Sequence, residues 1–160
     1  MKVNTDAVLL AAIADHSNPI SILDIGTGTG VIAMMLAQRF TDAIIDAVEI
    51  DQLAFQTSKE NFENSIFKNR LNAHSNSFQD FLQKEDSKYD LIVSNPPFFL
   101  KSLPSENKSK MVARHADEHF YTDLAKIIPQ RLNPAGHLTM ILPVETAKYA
   151  IKLFSEQDLW

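Results

Sequence analysis

The chain has 160 residues, a length that suits one domain, and its 45 % apolar and 22 % charged residues exclude a disordered composition. It has no cysteine, which excludes disulfides, thiolate metal sites and a cysteine nucleophile and fits a reducing cytoplasm. The formal net charge of −5 has the same sign as RNA, so binding of RNA would need a local basic patch or a part of the protein missing from this chain. No apolar run is long enough to cross a membrane.

The first segment predicts a helix with Thr5 as its N-cap and Asp6 in the first turn. Lys2 followed by the apolar run Val8 to Ala14 also has the outline of a secretory signal. Asp6 in the would-be basic region and Asp15 at the would-be cleavage site argue against that signal. We therefore expect a cytoplasmic protein with no membrane segment.

Strand-like and helix-like segments then alternate along the chain, which predicts an α/β fold with a doubly wound, mostly parallel sheet. The predicted strands are Ile20 to Ile25, Ala43 to Ile50, Leu71 to Phe78, Tyr89 to Ser94 and His137 to Leu142. The predicted helices are Val31 to Phe40, Gln52 to Asn69, Asp117 to Leu132 with Pro129 unexpected near its end, and one from Glu145. The segment Leu100 to Ala113 has no clear pattern. Ligands of such sheets bind beyond the carboxyl ends of the strands.

A glycine-rich loop follows the first strand and is the first candidate binding element. Its candidate residues are Asp24, Gly26, Thr27, Gly28 and Gly30. Glycine lets the backbone turn tightly and lets a ligand approach, and the following helix offers free N–H groups to an anion. The loop alone leaves two cofactors open, because Gly28, Gly30 and Ala33 also satisfy the dinucleotide pattern and Glu49 follows at the distance expected for a ribose ligand.

The loop resembles motif I of the class I, Rossmann-like methyltransferases, in which it wraps the amino-acid part of S-adenosylmethionine. That resemblance implies a role for Glu49, after the second strand, in binding the ribose hydroxyls. An acid often follows the third strand in this class, where Ser77, Phe78 and Asp80 stand here. Phe78 against the adenine ring and Asp80 as an adenine ligand are the two expectations for that place.

The tetrapeptide Asn95-Pro96-Pro97-Phe98 follows the strongest predicted strand. It resembles motif IV of the amino-methyltransferases, which methylate adenine N6, guanine N2 or a glutamine side chain. An exocyclic amine is a poor nucleophile, and two acceptors on its N–H bonds would favour electron density on nitrogen. The Asn95 side chain, beside the cofactor, and the Pro96 carbonyl can be those acceptors, while Pro97 stiffens the loop. Phe98 can stack on a flat substrate.

The rest of the chain narrows the resemblance. Three segments resemble the bacterial tRNA adenine-N6 methyltransferases that act on valine tRNA beside the anticodon. They are the opening Lys2 to Ala12, the tripeptide Ala113-Arg114-His115 and the turn Asn133 to Gly136. The resemblance implies a tRNA partner. His115 and His119 are four residues apart, but Glu118 is misplaced for the zinc-binding pattern H-E-x-x-H, so no metal is expected. We expect the tRNA to contact the basic residues Lys101, Lys108, Lys110 and Arg114.

Other functions stay open at this stage. A glutamine-N5 methyltransferase of release factors would share the Asn-Pro-Pro-Phe loop but predicts a helical domain before it. An enzyme for guanine-N2 or adenine-N6 of ribosomal RNA is a further alternative. An NAD-binding oxidoreductase would leave Asn95 to Phe98 unexplained.

The chain is expected to be a single methyltransferase domain over residues 1–160 that lacks the last two strands of its fold. Class I methyltransferases ordinarily have seven strands, and the sequence predicts five. The strand His137 to Leu142 would then form an open edge with unpaired backbone groups. Self-association through that edge is the resulting expectation.

Overall fold

The computed structural model describes residues 5–84, 86–96 and 108–156, with side chains given outside 108–118. The helices are α1 Thr5–Ile13, α2 Val31–Arg39, α3 Gln52–Glu63, α4 Phe78–Lys84, α5 Lys108–Arg131 and α6 Val144–Ser155. The strands are β1 Ser21–Ile25, β2 Ile44–Glu49, β3 Leu71–Ser75, β4 Tyr89–Ser94 and β5 Leu132–Met140. A short 3-10 turn, Lys68–Arg70, precedes β3.

The five strands form one sheet in the order β3-β2-β1-β4-β5, and every neighbouring pair is parallel. The predicted α/β fold with a parallel sheet is therefore confirmed. The chain leaves the central strand β1 toward one edge and returns past it to β4, so the carboxyl ends of β1 and β4 lie side by side. That reversal of direction is where open parallel sheets bind ligands.

The main apolar core lies between one face of the sheet and the helices α1, α2 and α3. Ile22, Ile45 and Leu91 come from three strands, and Leu10 and Leu36 come from α1 and α2; all five are fully buried. Burial of a side chain of this size stabilises the fold by about 1.5–3 kcal/mol. The core holds the strand ends at fixed separations and so fixes the loops that follow them.

Asp90 joins the beginnings of three strands. Its Oδ2 accepts hydrogen bonds from the Ile20 and Ser21 amides at 2.9 and 3.0 Å, and its Oδ1 accepts one from Asn133 Nδ2 at 2.8 Å. Partial burial opposes ionisation, but these hydrogen bonds outweigh it and lower the pKa of Asp90. The carboxylate thus fastens β1, β4 and β5 at the edge opposite the glycine loop.

Three arginines bind backbone carbonyls at the carboxyl ends of earlier helices, where four carbonyls per helix have no partner within the helix. The contacts are Arg39 to Ala11 and Ala14 (2.6 and 2.7 Å), Arg70 to Ala37, Phe40 and Ala43 (2.7, 3.0 and 2.9 Å) and Arg131 to Leu82 (2.6 Å). The guanidinium fork suits this use because it presents several donors in one plane.

The region after β2 departs from the sequence prediction. The helix predicted over Gln52 to Asn69 ends at Glu63, and the strand predicted to reach Phe78 ends at Ser75. Phe78 instead begins α4, a helix that the prediction missed. The Ser77 hydroxyl accepts a hydrogen bond from the Asp80 amide at 3.0 Å, as an N-cap does.

The segment predicted to lack structure, Leu100 to Ala113, is helical from Lys108 onward, so the prediction is wrong for residues 108–113. The helix α5 runs through Pro129, which donates no hydrogen bond to the preceding turn. The last strand begins at Leu132 rather than His137, with a register irregularity opposite Tyr89 to Leu91. Ala135 takes up a left-handed φ of 65° there.

Contacts divide the chain into two units. The first holds residues up to 96 and 131–141, and thus the whole sheet with α1 to α4. The second holds 97–130 and 142–160, where Tyr121 of α5 and Tyr149 of α6 meet edge to face with ring centroids 6.4 Å apart. β5 is the last strand of the sheet in the described residues, and its pairing with another chain remains a prediction. No helix in the described ranges is long and apolar enough to span a membrane.

Candidate active site

The glycine loop follows β1 and turns with three glycines in the left-handed region. Gly26, Gly28 and Gly30 have φ of 73°, 60° and 85°, values that other residues adopt only at a cost. The amides of Gly26 and Thr27 both donate to the Val48 carbonyl of β2, at 2.9 and 3.1 Å. The loop is therefore anchored to the neighbouring strand, and only glycines fit its turns without strain.

The space around the loop differs between its two ends. A Cβ added to Gly26 would meet no atom of the described residues within 4 Å, so a ligand could approach this end of the loop. A Cβ added to Gly30 would lie 2.4 Å from Cε1 of Phe62, whose ring is buried. Gly26 thus borders space that is open in the described structure, while Gly30 is needed for packing of α3 against the loop.

Asp24 is fully buried at the end of β1, with one oxygen satisfied and one not. Its Oδ2 accepts a hydrogen bond from the Thr27 hydroxyl at 2.6 Å. Its Oδ1 has no hydrogen-bond partner among the described residues. Burial raises the pKa of this carboxyl to about 7 and the Glu49 charge adds to the rise, while the hydrogen bond from Thr27 and the nearby Ala33 amide oppose it. A cationic group bound here would restore the charged form.

Glu49 ends β2 and is only 8 % exposed. Its Oε2 accepts a hydrogen bond from the Gly28 amide at 2.8 Å, and its Oε1 accepts one from the Asp51 amide at 2.9 Å. The sequence predicted a ribose ligand here; the carboxylate also holds the glycine loop. Each carboxylate oxygen can accept more than one hydrogen bond, so both roles are compatible.

The helix α2 begins at the end of this loop. Gly30 is its N-cap, and no side chain within the described part of the chain caps it. The first N–H groups of a helix have no partner within the helix and carry partial positive charge, so they suit a carboxylate or phosphate. The loop thus leads from Asp24, whose Oδ1 is unsatisfied, to helix amides that suit an anion.

The Asn-Pro-Pro-Phe motif begins where β4 ends, directly beside the glycine loop. Ser94 is the register partner of Ile25, and its buried hydroxyl donates to the Ile25 carbonyl at 2.9 Å. Asn95 is therefore the next residue beside Gly26; it is half-buried, and Pro96 is buried. Pro97 and Phe98 lie outside the described residues. The structure thus brings the two sequence motifs to one edge of the sheet.

The residues expected after the third strand lie on the helix α4 instead. Phe78 is buried and Asp80 is exposed. The helix packs through Phe81 against His74 of β3, with ring centroids 4.5 Å apart, and His74 Nε2 lies 2.9 Å from Asp46 Oδ1 of β2. This contact holds α4 near the end of β3, and the roles of Phe78 and Asp80 at the cofactor stay predictions.

Sequence reasoning passed over one residue at this edge. Ile50 directly follows Glu49 and is 75 % exposed, an unusual exposure for an apolar side chain of this size. The sequence feature that could have drawn attention to Ile50 is its place between the acids Glu49 and Asp51 at the carboxyl end of a strand.

The predicted RNA-binding residues are only partly located. The helix α5 includes Lys108, Lys110 and Arg114, of which only the backbone is described. Lys101 lies outside the described residues. Their role in RNA binding stays a prediction.

Comparison with known proteins places the chain in a family. Residues 3–148 match the methyltransferase small domain family. The chain belongs to this family. Among curated proteins it is 45 % identical over 153 residues to the tRNA1(Val) (adenine(37)-N6)-methyltransferase of Pedobacter heparinus, covering 96 % of this chain and 64 % of that protein. It is 43 % identical over 159 residues to the protein of the same name in Parabacteroides distasonis, covering 99 % of this chain and 67 % of that one. The resemblance to this tRNA group is confirmed.

Solved structures agree on the fold. A precorrin-6y C5,15-methyltransferase from Geobacter metallireducens aligns over 94 % of this chain and 68 % of its own with a TM-score of 0.71 and 10 % identity. TrmN from Thermus thermophilus aligns over 94 % of this chain and 39 % of its own with a TM-score of 0.66 and 21 % identity. The Rossmann-like methyltransferase fold is confirmed. The chain spans about two thirds of the length of the curated relatives it matches (64 % and 67 %).

Proposed function

We propose that this methyltransferase transfers a methyl group from S-adenosylmethionine to the exocyclic N6 of an adenosine in tRNA, at the position beside the anticodon of valine tRNA. The observation that carries the proposal is the pairing of Ser94 with Ile25, which sets the Asn95-Pro96 segment beside the glycine loop. The names of the curated relatives support the choice of tRNA and of adenine N6. Because tRNA is the substrate, the proposal includes a cytoplasmic location.

The residues at the glycine loop fit S-adenosylmethionine group by group. The unsatisfied Asp24 Oδ1 suits the ammonium of the methionine part, and the uncapped start of α2 suits its carboxylate. The Glu49 carboxylate suits the ribose hydroxyls. The open space beside Gly26 leaves room for the ligand to approach the loop.

The acceptor side of the reaction depends on the Asn-Pro segment. When bound, S-adenosylmethionine supplies an electrophilic methyl group. The Asn95 carboxamide oxygen and the Pro96 carbonyl accept hydrogen bonds from the adenine amino group, which orient its nitrogen lone pair and favour electron density on it. Positioning and electrostatics of this kind account for most of the rate in such transfers. The amino proton becomes acidic as nitrogen gains positive charge, so no separate general base is required.

Nucleoside mass spectrometry tests the proposal. Purified chain is incubated with methyl-labelled S-adenosylmethionine and valine tRNA lacking modifications, and N6-methyladenosine beside the anticodon is the expected product. Asn95→Ala should lower turnover at least about 100-fold while changing cofactor affinity less than about threefold. Asn69→Ala, an exposed asparagine beside the short turn before β3, is the matched control and should retain activity. Methylation of glutamine or of another nucleoside would refute the assignment, and so would activity that a chelator removes and zinc restores.

A further inference from the structure

The peptide unit between Thr29 and Gly30 lies between the glycine loop and α2, and it is held at both ends. Its N–H, on Gly30, donates to the Thr27 carbonyl at 2.9 Å. Its carbonyl, on Thr29, accepts a hydrogen bond at 2.9 Å from Nδ2 of Asn61, a residue 32 positions later in α3. Since a peptide unit is planar, bonds at its two ends fix its orientation.

The orientation of this unit sets the direction of the amides that follow it. Gly30 is the N-cap of α2, and its own carbonyl accepts the first bond of the helix, from the Met34 amide at 3.0 Å. The Thr29 carbonyl lies outside that ladder and depends on Asn61. A rotated Thr29 peptide would turn the N–H groups at the start of α2 away from the place where an anion would bind.

Asn61 is built into a contact surface for the loop. The next residue, Phe62, is buried against Gly30, so α3 touches the same point of the loop with a ring and with an amide. Asn61 itself is half-buried. The bond from Asn61 is therefore not a loose surface contact but part of a packed junction.

The other anchors of the loop act on its first half. Val48 and Glu49 of β2 hold the amides of Gly26, Thr27 and Gly28. Asn61 is the side chain of α3 that holds the second half, from which α2 starts. From this geometry we infer that Asn61 is a positioning residue, which orients the anion-binding start of α2 for the carboxylate of S-adenosylmethionine without touching the ligand. The inference rests on the proposed function.

The test uses the whole chain and two substitutions. Asn61→Asp keeps the shape but replaces the donor by an oxygen that repels the Thr29 carbonyl, and Asn61→Ala removes the bond. Asn64→Ala is the matched control, because Asn64 is the exposed C-cap of α3 and its side-chain amide donates to the Glu60 carbonyl of that helix. We expect both Asn61 variants to bind S-adenosylmethionine about tenfold more weakly in calorimetry, and Asn64→Ala to bind like the original chain.

A second measurement separates positioning from a general loss of stability. Hydrogen exchange of the amides at positions 29–32 should become faster in the ligand-free Asn61 variants, with exchange in β1 and β4 unchanged. Equal affinity of the Asn61 variants and Asn64→Ala would overturn the inference, and so would faster exchange throughout the sheet. Absence of binding by the original chain would instead refute the proposed function, so the two failures are distinguishable.

Discussion

Glu49 Oε2 accepts a hydrogen bond from the Gly28 amide at 2.8 Å, across 21 residues of sequence. The side chain expected to bind a ribose therefore also stabilises the loop that would hold the methionine part of the cofactor. Because one carboxylate touches both regions, changing it should alter binding in two ways at once. The design of substitutions at Glu49 has to separate the two effects.

Glu49→Gln keeps one acceptor oxygen but places an NH₂ group against an amide, and Glu49→Ala removes both acceptors. We expect Glu49→Ala to destabilise the ligand-free protein by about 1–3 kcal/mol, since it leaves buried amides unsatisfied. Its affinity for S-adenosylmethionine should fall by more than tenfold, and Glu49→Gln should lie between. Urea unfolding and calorimetry measure the two effects separately.

The control is Glu63→Gln, an exposed acid whose ion pair with Lys59 spans 3.9 Å at the surface. It should change neither quantity measurably. Unchanged cofactor affinity in Glu49→Ala would remove Glu49 from the binding site and leave it a structural role alone.

Gly26 and Gly30 provide a matched pair for alanine substitution. Both have a positive φ, so each substitution should cost about 1–2 kcal/mol in backbone strain. Only Gly30→Ala adds a clash, because its Cβ would lie 2.4 Å from the buried Phe62 ring. We expect Gly30→Ala to lose about 2 kcal/mol more stability than Gly26→Ala, measured by urea unfolding. Equal losses would show that the Phe62 ring moves aside freely.

The raised pKa of Asp24 predicts a pH dependence of stability. The ordinary value for an aspartate is 3.8, and the folded protein raises it to about 7. Between these values the folded carboxyl holds a proton that the unfolded chain has lost. This contribution to stability is present in full below pH 4 and is lost as pH rises through 7. From pH 5 to pH 8 the loss should be about 2–3 kcal/mol.

Asp24→Asn serves as the reference, because an amide does not titrate. Unfolding free energies of the original chain and of Asp24→Asn should diverge as pH rises, with the original chain losing more. Parallel curves would contradict the raised pKa. A bound ammonium should also favour the charged carboxylate, so cofactor binding near pH 6 should release protons, seen as a buffer-dependent heat that Asp24→Asn lacks.

The basic residues that follow the Asn-Pro motif in the sequence predict the salt dependence of tRNA binding. Glutamine at Lys101, Lys108, Lys110 and Arg114 should flatten the slope of log affinity against log salt by about 0.7–0.9 for each lost phosphate contact. The control changes the same net charge at four exposed lysines elsewhere: Lys59, Lys68, Lys84 and Lys88. An unaltered slope in the first variant, or an equal change in both, would move the RNA surface away from this segment.

The sequence predicted the sheet well because buried parallel strands are apolar and end in recognisable turns. The strand Tyr89–Ser94 matches its predicted bounds, and the loop makes the tight turn expected of its glycines, which take a positive φ. That Asn95 and the loop lie at one edge also followed from the predicted parallel sheet, because the carboxyl ends of parallel strands share one edge. Their direct adjacency came only from the observed strand order β3-β2-β1-β4-β5.

Short helices were harder to predict because tertiary contacts decide them. The helix Phe78–Lys84 has seven residues, too few for a clear period, and Phe78 was assigned to the strand before it. Ser77 three residues before Asp80 was the available signal, since it is the spacing of an N-cap. The bond from Gly28 to Glu49 joins residues that are 21 positions apart, and the bond from Asn61 to Thr29 joins residues that are 32 positions apart. Local sequence patterns do not reveal such contacts.

The arginines that bind carbonyls at helix ends each lie later in the chain than the helix they stabilise. Arg39 lies 25–28 residues after the carbonyls it binds, Arg70 lies 27–33 residues after its own, and Arg131 lies 49 residues after Leu82. In each pair the donor comes later in the chain. As the protein leaves the ribosome from its amino end, α1, α2 and α4 each emerge with an unfinished end that only a later segment completes. During synthesis these hydrogen bonds can therefore form only after the later segment that carries each arginine has been made.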